Sequence, residues 1–155
     1  MIRTEAKIED LTLNIHEKIH VRAPLDVTFE ALLEQLAPHN ERGDGTPMAM
    51  KVEAWPGGRW YRDLGDNNGH FWGNVQAIKR PTLLEISGPL FMSYPCVSNV
   101  QYRLSEEEGG TLIKFHHTAL GLIQDQTRNV RSGWANTHAK LKERAEASRA
   151  RKAAV

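Results

Sequence analysis

The clearest signal along the chain is a hydrophobic period that switches from two to 3.6, back to two, and finally to 3.6 again. From Leu11 to Arg22, Leu13, Ile15, Ile19 and Val21 share one face, while Asn14, His16, Lys18 and His20 share the other. Period two over this length predicts a long strand buried on one side. Pro24 then suits a first helical turn, and Asp26 close behind it complements the helix dipole. Phe29, Leu32, Leu33 and Leu36 follow at i, i+3, i+4 and i+7, one face of a short helix that should stop near Pro38. The segment from Pro38 to Pro47 is polar, contains glycine and reads as a loop.

A run of strands comes next. Met48 to Trp55 alternates, Pro56-Gly57-Gly58 turns, and Arg59 to Leu64 returns. Asp66-Asn67-Asn68-Gly69 supplies residues that accept positive φ, and His70 to Ile78 forms a further strand closed by Pro81. Leu83 to Ser87 is short, and Val97 to Ser105 with Thr111 to Ala119 makes a hairpin around Glu106–Gly110. From near Thr127 the longer period resumes, with Val130, Trp134, Thr137, Leu141 and Ala145 about one face. A helix running to near Arg151 would be about 35–40 Å long. Strand, helix, about six strands and a long final helix predict an α+β fold, with an antiparallel sheet curling round the last helix. Residues 1–10 carry little periodicity and read as a mobile N-terminal segment, leaving 11–155 as a single domain.

Composition acts mainly by exclusion. With 155 residues, 40% hydrophobic and 25% charged, the chain has the make-up of one ordinary globular domain. Lys plus Arg is 20 and Asp plus Glu is 19, a net charge of +1 that gives no reason to expect a nucleic-acid partner. Cys96 is the only cysteine, so an internal disulfide and most cysteine-based zinc sites are excluded. MIRTEAKIED has no apolar core of a signal peptide, and no stretch approaches the roughly 18 apolar residues of a membrane span. The expected location is the cytoplasm. The basic stretch from Lys140 to Lys152 reads as the solvated end of the helix.

Alternation also selects an inner face. It carries Leu13, Ile15, Ile19, Val21, Met50, Val52, Trp60, Phe71, Val75, Leu84, Ile86, Val100, Tyr102, Leu104, Ile113, Phe115 and His117. Lys114 fixes this choice on the last strand, since the opposite parity would bury it without a partner. A mostly apolar pocket with a few orienting polar groups follows, with Trp60, Arg62, Phe71, Tyr102, Phe115, His117 and, from the helix, Trp134 as ligand-contacting candidates. His117 is the candidate catalytic group, because an imidazole among Tyr102, Phe115 and the final helix is placed to act as base or donor. Arg62 shares the face of Trp60 and would hold a carboxylate or enolate oxygen by paired hydrogen bonds. Tyr94, Asn99 and Gln101 are further donors with no motif to choose among them.

No metal site is expected. His16 and His20 lie about 13 Å apart along one strand face, and His116 and His117 point to opposite faces. Cys96 lacks the neighbours of a nucleophile and reads as a structural thiol. No G-x-S-x-G, phosphate loop or dinucleotide fingerprint is present, and no cofactor is expected. Trp55 and Trp72 fall on the outer face or at strand ends in this reading, where exposed indoles would suit a homodimer interface.

Several motifs together resemble one family. They are the Ala23-Pro24 opening with Val27, Phe29, Ala31 and Leu32; W-P-G-G-R-W at Trp55 to Trp60; and G-H-F-W-G-N-V at Gly69 to Val75. Ile78, Pro81, Leu84, Gly109-Gly110-Thr111 and the Gly133-Trp134 pair extend the match. In order and spacing these are similar to the activator-of-heat-shock-protein-ATPase-like (AHSA-like) family of the START-related, polyketide-cyclase-like (SRPBCC) helix-grip superfamily. The resemblance implies a curved sheet of about six to seven strands gripping the C-terminal helix, with a cavity between them that takes small apolar molecules. Chaperone activation is not expected, because 155 residues leave no room beside this domain for the named co-chaperone's additional N-terminal domain. The leading expectation is therefore a small-ligand-binding protein rather than an enzyme. A cyclase- or dehydratase-like enzyme using His117 with Tyr102 or Arg62 is the alternative, and a co-chaperone-like interaction module the second.

Overall fold

The computed structural model describes residues 7–90, 95–123 and 127–153. A single 3₁₀ turn, Ile8–Leu11, leads into β1 (Thr12–Val21), α1 (Leu25–Leu36), β2 (Lys51–Val52) and β3 (Arg59–Gly65). They are followed by β4 (Asn68–Lys79), β5 (Leu83–Gly88), β6 (Cys96–Glu107), β7 (Gly110–Gly121) and α2 (Thr127–Ala153). All seven strands join one antiparallel sheet in the order β1-β7-β6-β5-β4-β3-β2. The inward row of β1, Leu13, Ile15, Ile19 and Val21, is buried, as are Val100, Tyr102, Leu104, Ile113, Phe115 and His117 on β6 and β7. This is the expected α+β helix grip.

Local chemistry accounts for the element ends. Pro24 precedes α1, and its carbonyl accepts the first helical bond from Thr28 N–H. The helix stops at Ala37, where the ring of Pro38 disfavours helical backbone in the residue before it. Asp66 and Asn67 form the β3–β4 turn with φ of 52° and 60°. Glu108 and Gly109 close the β6–β7 hairpin, and Gly109 takes φ of 82° there.

Two expectations about strands need correction. Met48 to Trp55 is not one long strand, because only Lys51 and Val52 pair with β3. Met48 N–H bonds the Asn40 carbonyl and Met50 N–H the Ala37 carbonyl, so the approach to β2 is tied to the end of α1 instead of to the sheet. Phe71 is not on the inner face. Trp60 pairs with Gly73 while Tyr61 pairs with Phe71, which leaves Trp72 as the extra residue of a β-bulge. One inserted residue reverses the parity of everything beyond it, so Phe71 is 46% exposed while Gly73 and Val75 remain inside.

The helix α2 lies on the concave face with Trp134, His138, Leu141 and Ala145 buried. His138, and not the half-buried Thr137, is the fully inward residue of that turn. The basic end of α2 is less free than a solvated tail. Lys142 Nζ donates to the His20 carbonyl, Arg149 to the Arg22 carbonyl, and Arg22 N–H to Glu146.

Candidate functional site

The interior of the grip is occupied by rings. Tyr102 and Phe115 lie with centroids 4.9 Å apart, Phe115 and Trp134 4.8 Å apart, and Phe115 and His138 4.5 Å apart. The Tyr102 hydroxyl is 3.0 Å from His138 Nε2, and His138 Nδ1 is 2.7 Å from a Glu17 carboxylate oxygen. Since the carboxylate accepts, Nδ1–H donates to Glu17 and Nε2 is left to accept from the tyrosine. Burial, and then the negative charge of Glu17, push the Tyr102 phenol well above its ordinary pKa, so it stays a donor. Sequence reasoning missed both partners. Their signal is nevertheless present: Glu17 occupies an inward parity position on β1, and His138 stands one turn beyond Trp134.

His117 is fully buried on β7. Trp134 Nε1–H donates to its Nδ1 at 2.9 Å, and an indole nitrogen can only donate. Nδ1 is therefore unprotonated, and Nε2–H donates to Ser98 Oγ at 3.1 Å. Protonating Nδ1 would set two N–H groups against each other. Burial, with a smaller repulsion from His116, lowers the His117 pKa to about 4. This imidazole is neutral near pH 7 and held at both nitrogens.

Sheet and helix part at the β3–β4 end, leaving a cleft of about 580 Å³. One wall is the 40–48 loop, pinned by Asn40 Nδ2–H to the Met48 carbonyl, Met48 N–H to the Asn40 carbonyl and Arg42 N–H to the Thr46 carbonyl. A second wall is Trp60 with Trp72, ring centroids 4.9 Å apart in an edge-to-face pair. The third comes from the early turns of α2, with Val130, Gly133, Trp134 and Thr137. Trp72 reaches this position because of the bulge. Its carbonyl accepts from Leu90 N–H at 2.9 Å, and β5 approaches so closely that a Cβ on Gly88 would meet the Trp72 carbonyl oxygen at 2.5 Å.

The three indoles of the cleft differ in one respect. Trp60 Nε1–H donates to the Leu36 carbonyl at 2.8 Å, and Trp134 Nε1–H to His117. Trp72 Nε1 is buried and has no hydrogen-bond partner among the described residues. Gly133 is also notable. A Cβ built on it would meet nothing within 4 Å, so packing does not require glycine in mid-helix, and its missing side chain enlarges the cleft.

The sequence-derived candidates therefore separate into groups. Trp60 and Trp134 line the cleft, while Tyr102, Phe115 and His117 lie deeper, in the filled interior. His117 and Tyr102 do not pair with each other, since their bonds run to Ser98 and Trp134 and to His138. Arg62 stands opposite His70 and lines a separate groove around the β3–β4 hairpin, as does Phe71. Trp72, expected on the outer face or at a strand end, belongs to the cleft, whereas Trp55 is 57% exposed. Asn99 and Gln101 donate to Glu85 across β5 and β6, and Tyr94 lies outside the described residues. Among the described residues no three His, Cys, Asp or Glu side chains converge as metal ligands, and no helix is long and apolar enough to cross a membrane.

The curved sheet, the gripped helix and the end cleft define a START-related helix-grip protein. Residues 22–146 match the family model described as activator of Hsp90 ATPase homolog 1-like protein, and the chain belongs to this family. Its fold is shared by CalU16 from Micromonospora echinospora, at 24% identity over 90% of this chain and 79% of that one, with a TM-score of 0.58. The Aha1 dimer from Colwellia psychrerythraea is similar at 15% identity over 86% and 96%, TM-score 0.63. The di-domain ARO/CYC StfQ of the steffimycin biosynthetic pathway is similar at 13% identity over 96% of this chain and 54% of that one, TM-score 0.64. No curated protein matches the chain significantly in sequence.

Proposed function

We propose that the protein binds a small, mostly apolar molecule in the end cleft, contacting Trp60, Trp72 and Trp134. The observation that carries this reading is that three indoles face one cleft of about 580 Å³, a volume within the range of small-molecule sites. Gly133 adds to it, because alanine there would favour the helix and only the cleft gains from glycine. The core candidates Tyr102, Phe115 and His117 act by supporting Trp134 from behind. His117 fixes the indole through its N–H, and Phe115 packs on the ring. Arg62 and Phe71 have no part in this site.

Native mass spectrometry of gently purified protein tests the reading, with Gly133→Leu as the blocking variant. The expected result is a bound apolar species in the wild type that is absent from a normally folded Gly133→Leu protein. Equal occupancy in the two proteins would place the ligand elsewhere.

A homodimer is the accompanying proposal. It is supported by the exposed Trp55, Leu64 and Phe71 and by the dimeric state of the Colwellia relative. Sedimentation analysis should give twice the chain mass for the wild type and a monomer for Phe71→Glu. A wild-type monomer at high concentration would dismiss it.

A further inference from the structure

Resting on that reading, we infer that the cleft's ligand is an aromatic molecule carrying a hydrogen-bond acceptor, such as a ketone or carboxylate oxygen, which accepts from Trp72 Nε1–H. Two observations select this chemistry. The first is the wall of three indole rings, with Trp60 and Trp72 already set edge to face, an arrangement that a further planar ring extends. The second is the state of the three indole donors. Trp60 and Trp134 have fixed acceptors within the protein, and only Trp72 Nε1 is buried without one among the described residues.

A buried donor with no acceptor carries a desolvation cost that solvent-exposed donors at the cleft mouth do not. Asn129 and Arg42 at that mouth are exposed and exchange a water for a ligand atom with little net gain. Trp72 Nε1 is shielded from bulk solvent, so an acceptor that reaches it adds a bond that the protein itself does not supply among the described residues. Trp72 is half-buried in the cleft lining while its Nε1 is buried, so the proposed bond requires the indole edge to turn toward the ligand. The inner wall therefore prefers an acceptor at one position and hydrocarbon elsewhere.

A matched pair of probes tests this. 2-Acetylnaphthalene carries a ketone oxygen, and 2-isopropenylnaphthalene has nearly the same planar shape with a methylene group in its place. Wild-type protein should bind the ketone about three- to tenfold more tightly, the usual worth of one net hydrogen bond. Titration with the ketone alone should move the Trp72 indole N–H proton resonance downfield in a ¹⁵N-correlated spectrum. In Trp72→Phe, whose fold is checked by the retained Trp134 indole N–H signal and an unchanged melting temperature, the two probes should bind equally. Equal affinities in the wild type, each lost in Gly133→Leu, would overturn the acceptor inference and leave the cleft reading standing. A preference that survives in Trp72→Phe would also overturn it. Failure of both probes to bind the wild type would remove the inference and the cleft reading together.

Discussion

The two ends of the grip are built from the same kinds of residues and arranged to opposite effect. In the middle and toward β1 and β7, the aromatic rings fill the space and their polar atoms are matched. Tyr102 is joined to His138 and Glu17, and His117 to Ser98 and Trp134. At the β3–β4 end three indoles stand around open volume. The two buried side-chain nitrogens without partners among the described residues, His70 Nδ1 and Trp72 Nε1, both belong to β4. The contrast separates holding from binding. A satisfied polar network fixes a unique interior, whereas an unsatisfied donor beside a cleft leaves a bond for the proposed ligand to make. Trp134 belongs to both regions, with its N–H in the network and its ring in the cleft.

The largest test of the filled half is Phe115→Ala, which removes the ring shared by Tyr102, Trp134 and His138. It should destabilise the protein by about 3–5 kcal/mol in urea unfolding. A loss below about 1 kcal/mol would mean that this half is as loosely packed as the cleft.

Acid comes next. The His117 pKa is lowered to about 4 in the folded protein, against an ordinary value of 6.5. Between these values the unfolded chain binds a proton that the folded one refuses, so stability is full above about pH 6.5 and falls as pH drops toward 4. The loss attributable to this group is on the order of 3 kcal/mol. His117→Gln should flatten that part of the stability profile. An unchanged slope would show that Trp134 is not held by a neutral imidazole.

Tyr102→Phe is smaller. It leaves His138 Nε2 buried without its donor and should cost about 1–3 kcal/mol, with no change in ligand affinity at the open end. Smallest is Gly133→Ala, which should stabilise the protein by about 0.5–1 kcal/mol because no contact opposes the new methyl group. A destabilised Gly133→Ala protein would mean that glycine is required for packing, and the argument for an open cleft would weaken.

Most of the fold is legible in the sequence because it depends on alternation and turn chemistry. Leu13 to Val21 and Val100 to Leu104 reveal their faces directly, and Asp66-Asn67 and Glu108-Gly109 mark the hairpins. The site is less legible for a specific reason. The exchange of Phe71 for Trp72 is caused by a single inserted residue, held by Leu90 N–H and by the close passage of Gly88. Hydropathy carries no trace of such a backbone event. Glu17 and His138 are a different case, since both stand at inward positions of their own elements. A carboxylate on a buried row demands a partner, and the histidine on the facing helix supplies it.

Fluorine NMR of protein labelled with 5-fluorotryptophan tests the separation of the two regions most directly. The chain has four tryptophans, three in the cleft and Trp55 exposed outside it, so the molecule carries its own control. On titration with 2-acetylnaphthalene, the Trp60, Trp72 and Trp134 resonances should shift together and saturate, while Trp55 stays in place. Movement of Trp55 alone, or of none of the four, would contradict the assignment of the cleft as the binding site.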